Sequence, residues 1–148
     1  MSLGRDAIAR LVPHQGAMCL LEEVMAWDEN AITCRASSHR DPANPLRSGI
    51  GLPAIMGVEY AAQAVAVHGS ITSNSESKKG YLAGLRDFVC SVAALDTESD
   101  DLVVRATRLA AESGRLLYDF RIVAGGRELL RGRLSVVLID DQSAGYRG

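Results

Sequence analysis

The sequence predicts an α+β domain in which an antiparallel sheet curves around one long, almost wholly apolar helix. Three observations carry this expectation. Residues 52–69, LPAIMGVEYAAQAVAVHG, are apolar on every helical face; the second half of the chain is a series of strand-like apolar runs; and Ser113-Gly114 and Gly125-Gly126 are hairpin signals between the last of those runs. A helix that is apolar all round belongs in a core or a membrane. One sheet covers only part of such a helix, so a second subunit or the N-terminal segment is expected to cover the rest.

Taken in order, Ser2 to Leu11 predicts a short helix, with Ser2 as N-cap and Leu3, Ile8 and Leu11 as its apolar stripe. Pro13 ends it, and His14-Gln15-Gly16 turns the chain into two strands, MCLLEEVMAW and AITCRASS, joined by the turn residues Asp28-Glu29-Asn30. Residues 39–53 hold too many prolines and glycines for an element interior and predict a loop. Pro53 suits a first helical turn, where its missing N–H has no partner to lose, so the long helix is expected to start near Pro53 and Ala54. Gly69 is the expected C-terminal stop, followed by a polar loop. Four strands follow, from YLAGLRDFVCSVAAL, DLVVRATRLAAE, RLLYDFRIVA and RELLRGRLSVVLID. The expected organisation is one domain over residues 1–141 and a disordered tail over 142–148.

Composition narrows the function classes. In 148 residues, 47% hydrophobic and 23% charged residues are ordinary for a globular protein. A formal charge of -2 supplies no general attraction to nucleic acid or to an anionic membrane. The apolar stretch is interrupted by Glu59 and falls short of the roughly 20 residues of a membrane span. Cys19, Cys34 and Cys90 form no CxxC pair and have no metal-type spacing, so they are expected to be buried thiols in a reducing compartment. With charges at Arg5, Asp6 and Arg10, the N-terminus is unlike a signal peptide, and a cytoplasmic location is expected.

Glu59 is the chemical anomaly of the chain. A carboxylate in apolar surroundings is costly unless it is paired, neutralised or used. Gln63 lies one turn on and shares its helical face. The structural alternative is an ion pair with Arg86 or Arg47.

The set LVPHQGAMCLLEEV, LPAIMGVEYAAQA and GYLAGLRDF resembles the hotdog-fold 3-hydroxyacyl-[acyl-carrier-protein] dehydratases over nearly the whole chain, and is nearest to the aryl-polyene subgroup. The resemblance implies a central helix wrapped by an antiparallel sheet, with two active sites at a subunit interface. The assembly is expected to be a homodimer or a heterodimer with a related chain. It implies elimination of water from a 3-hydroxyacyl thioester on the phosphopantetheine arm of an acyl carrier protein, with no metal or cofactor. Glu59 matches the family's carboxylate in the pattern Glu59-Tyr60-Ala61-Ala62-Gln63. It is therefore the expected proton donor. Gln63 is the expected orienting or substrate-binding residue. Amides near Ala54 and Ile55, at the positive end of the helix dipole, are expected to polarise the thioester carbonyl.

One departure stands out. The family's catalytic histidine lies fourteen residues before the carboxylate, and that position here is Pro45. His14, in its Pro-His motif, is the first candidate for the base and His39 the second; His68 lies toward the far end of the helix. Arg47 and Lys78-Lys79 are candidates for contact with an acidic carrier, with ordinary surface charge as the alternative. Three functions stay open: a dehydratase using Glu59 and His14, a hotdog thioesterase in which Glu59 activates water or attacks the thioester, and a non-catalytic subunit of a heterodimeric dehydratase.

Overall fold

In a computed structural model, which describes residues 2–11, 18–73 and 78–140, the chain forms strand β1 (Leu3–Gly4), helix α1 (Arg5–Leu11), β2 (Glu23–Trp27), β3 (Ala31–Ala36), helix α2 (Gly57–Ser73), β4 (Lys78–Cys90), β5 (Leu102–Glu112), β6 (Arg115–Ala124) and β7 (Arg127–Asp140). The strands make one seven-stranded sheet in the order β1-β2-β3-β5-β6-β7-β4. Every neighbouring pair is antiparallel. Irregularities in register interrupt β2, β4, β5 and β7. Bulges of this kind bend and twist long strands, which lets the sheet curl around α2.

Alternation fixes the inner face. Leu102, Val104 and Ala106 of β5 are buried with Leu116, Tyr118, Phe120 and Ile122 of β6 and with Leu130, Leu134 and Val136 of β7. Against them lie Val58, Ala61, Ala64, Val65 and Val67 of α2. Ile8 of α1 and the segment Cys19–Leu21 join the same core, so the N-terminal part of the chain covers the side of the helix that the sheet leaves open. Glycine sets the closest approaches. A Cβ at Gly57 would stand 2.8 Å from a Leu130 methyl, and one at Gly69 2.7 Å from a Leu116 methyl.

The hairpins are as expected. Ser113 and Gly114 both have positive φ, as do Gly125 and Gly126, the geometry of tight turns between twisted strands. Asp28 Oδ1 accepts from the amides of Asn30 and Ala31 at 2.7 and 2.9 Å and closes the β2–β3 turn.

Several expectations are corrected. Leu3 and Gly4 pair with Val24 and Glu23 as an edge strand, so the first helix begins at Arg5 and Ser2 is not its cap. The helix α2 continues through Gly69 to Ser73, because that glycine serves packing rather than termination. A 3₁₀ turn at Ala54–Met56 precedes it. Cys90 is exposed near the end of edge strand β4, whereas Cys19 and Cys34 are buried; burial pushes the Cys34 thiol up to about 12. Residues 142–148 lie outside the described residues.

Candidate active site

Glu59 lies in the first turn of α2 and is half-buried. The field of the helix N-terminus acts on it there. Among the described residues its carboxylate has no hydrogen bond or ion pair. Arg47, one of the two expected partners, lies 3.8 Å from Asp96 instead, and no ion pair joins Arg86 to Glu59.

The turn into α2 is stitched to the segment after β4. Leu52 donates to Asp96 Oδ1 at 2.9 Å, Leu95 to Leu52 O at 2.8 Å, and Ala54 to Ala93 O at 3.0 Å. The Leu52 amide, aided by Arg47, holds the Asp96 carboxyl below its ordinary value. Ala54 therefore has its amide committed. Among the described residues no such bond takes the amide of Ile55, whose side chain is 47% exposed, so of the two expected carbonyl-polarising groups Ile55 has the available N–H.

Gln63 is buried and holds the backbone of a distant segment. Its Oε1 accepts from Leu20 N at 3.0 Å and its Nε2 donates to Met18 O at 2.6 Å. No bond joins it to Glu59. Gln63 thus fixes the chain a few residues after His14, which itself lies outside the described residues.

Tyr60, beside Glu59, is fully buried. Its hydroxyl meets Ser38 Oγ at 2.8 Å and Asn44 Nδ2 at 3.0 Å, and burial raises its pKa. Asn44 also donates to Ser38 O and accepts from Leu46 N, both at 2.8 Å. The loop around Pro45 is thereby tied to α2 one residue from the candidate acid. Sequence reasoning passed over this anchor, although a tyrosine in an apolar helix signals a hydroxyl that needs a partner.

The two described histidines are buried. His39 Nε2 donates to Glu98 O and Asp100 O at 3.1 and 3.0 Å, and its Nδ1 has no partner among the described residues. His68 Nε2 donates to Asp28 O at 2.7 Å, so its Nδ1 accepts from Tyr118 Oη. Arg108 Nε in turn donates to Tyr118 Oη at 3.2 Å. Burial lowers the pKa of both rings, followed by the charge of Arg40 at His39 and, among lesser influences, that of Arg108 at His68.

A pH dependence of stability follows. Each ring is neutral in the folded chain and titrates below 6.5, its ordinary value, so the unfolded chain binds more protons below that pH. The stability from this source is complete above about pH 6.5 and is lost as the pH falls through the folded values. Urea midpoints should be lower at pH 5 than at pH 8; equal midpoints would contradict the buried, neutral assignment. Asp96 and Asp101, also lowered, act below 3.8 and leave this window undisturbed.

A sheet wrapped around a central helix, with a carboxylate in that helix's first turn, defines a hotdog-fold protein. The chain belongs to the ApeP-like family, the ApeP dehydratases, whose sequence model matches residues 6–146. Among solved structures it is similar to the dehydratase heterocomplex ApeI:P from Xenorhabdus doucetiae, with 26% identity, a TM-score of 0.81 and 93% of each chain covered. It also resembles the thioesterase HI1161 from Haemophilus influenzae, with 16% identity, a TM-score of 0.61, and 94% of this chain and 92% of that one covered. A hypothetical thioesterase with coenzyme A from Streptococcus pneumoniae shares 12% identity at a TM-score of 0.54, covering 79% and 84%. The last two are likenesses of fold. No curated protein matches the chain. Among the described residues, no helix is long and apolar enough to cross a membrane.

Proposed function

We propose that the chain dehydrates a 3-hydroxyacyl thioester, carried on the phosphopantetheine arm of an acyl carrier protein, to the trans-2-enoyl thioester. The observation that carries this reading is Glu59, half-buried and without a partner among the described residues, in the first turn of the central helix of an ApeP-like dehydratase. A base takes the proton from C2, Glu59 gives one to the C3 hydroxyl, water leaves, and the C2–C3 double bond forms. His14 is the proposed base. His39 is disfavoured because its Nε2 is committed to two carbonyls. The Ile55 amide is the proposed donor to the thioester oxygen, and Gln63 acts by holding the segment Met18–Leu20.

Pairing with a second hotdog chain belongs to the same reading. Edge strand β4 runs thirteen residues, pairs among the described residues only with β7, and exposes Tyr81, Leu82 and Val89. A long apolar edge of this kind is a surface for strand pairing. The similar ApeI:P structure is a heterocomplex, which supports a related partner as well as a second copy.

Pro45, standing where the family's histidine is expected, favours a second reading as a thioesterase in which Glu59 activates water. One assay separates the two: the protein, alone and with a related hotdog partner, is incubated with a 3-hydroxyacyl carrier thioester. Enoyl thioester is the expected product. Free thiol without enoyl would replace the dehydratase by the thioesterase, and neither product from folded protein would leave a non-catalytic subunit.

A further inference from the structure

The outer face of the sheet, turned away from α2, carries an array that the dehydration reading does not use. Arg105 of β5 is the direct cross-strand partner of Arg121 on β6, which in turn faces Arg131 on β7. In the next row Asp119 faces Arg133. Like charges placed directly opposite one another destabilise a sheet. Compensation within the described residues is partial. Glu128 lies 2.8 Å from Arg131 and 3.8 Å from Arg121, and Asp119 lies 2.8 Å from Arg133, whereas Arg105 has no ion pair or hydrogen bond.

These four arginines and Thr107 border a cavity of about 290 Å³. Asp87 and Asp119 are the carboxylates in its lining, and with Glu128 pairing Arg131 and Arg121 from beside it, the four arginines keep one positive charge in excess. The chain as a whole has the opposite sign, -2.

We propose that this cavity binds the phosphoryl group of a phosphate ester. An ester of this kind carries close to two negative charges at neutral pH, the sign that relieves the uncompensated repulsion of Arg105 against Arg121. Guanidinium forks pair with phosphate oxygens two at a time, and three of them converge from adjacent strands. The volume lies at the small end of the range for ligand pockets, which suits a compact anion better than the face of an acidic protein. The site is separate from Glu59 and stands independently of the dehydratase reading.

The test titrates the full-length protein with inorganic pyrophosphate at fixed ionic strength, following backbone amide shifts. Saturable binding is expected, with shifts in β5, β6 and β7, weakened at least tenfold in the double variant Arg105→Gln/Arg121→Gln. Because the substitution also relieves repulsion, the melting midpoint of that variant should stay level or rise, so lost binding cannot be ascribed to unfolding. Phosphatidic-acid vesicles in a second arm distinguish a lipid headgroup from a soluble ester, and binding of either probe that depends on the arginines supports phosphoryl recognition. Affinity unchanged in the double variant, a response no different from that to chloride, or binding of polyglutamate in place of both phosphate probes would overturn the proposal.

Discussion

Glu59→Gln is expected to lower the rate of enoyl formation by roughly 10²–10⁴-fold, the usual contribution of a positioned proton-transfer group. The substitution keeps the shape of the side chain and removes its ability to give and retake a proton. Because the carboxylate has no hydrogen-bond or ion-pair partner among the described residues, replacing it leaves none of their charges uncompensated. Thermal stability should therefore hold or increase while turnover falls, a combination that distinguishes a functional carboxylate from a structural one. The loss should appear in kcat with KM little changed, since proton transfer is made in the transition state and not in binding. Retained turnover would move the acid away from α2 and remove the mechanism proposed above.

The separation of local from distant information explains which features were legible in the sequence. The apolar run of α2, the strands β5 to β7 and the two glycine turns follow from periodicity and from residues that tolerate positive φ; all are local signals. Glu59 was legible because a single carboxylate interrupts an apolar pattern. By contrast, the two residues of β1 are too few to show a period, and their pairing with Val24 and Glu23 is a tertiary fact. Gly69 resembled a helix stop because glycine is a poor helix former. Its purpose, space for a Leu116 methyl from β6, is visible only once the sheet lies on the helix. The sequence shows the place of Gln63 on the helix and gives no role to Tyr60, and the atoms that occupy both come from elsewhere: Met18 and Leu20 for Gln63, the loop at Ser38 and Asn44 for Tyr60. Polar groups in a core are assigned by what they bond, and a one-dimensional pattern does not contain those partners.

Gln63→Met should be among the most damaging single substitutions to stability. It nearly preserves side-chain volume but leaves Leu20 N and Met18 O without the partners they have at 3.0 and 2.6 Å. Each buried backbone group so abandoned costs about 1–3 kcal/mol. At roughly 2–4 °C per kcal/mol for a chain of this size, the melting midpoint should fall by several degrees or more. Gln63→Glu should be at least as damaging at neutral pH, because its carboxylate keeps the Leu20 N bond but sets a buried charge against Met18 O, and stability should recover in acid, where the protonated group donates again. Equal midpoints in wild type and Gln63→Met would contradict the clamp. Activity adds a second and sharper comparison. If Gln63 acts on catalysis by holding the segment that follows His14, then Gln63→Met lowers kcat in the wild-type background but adds little where His14→Ala has already removed the base. Additive losses in the double variant would instead mean that the two residues act separately, since coupling is the signature of a shared structural element.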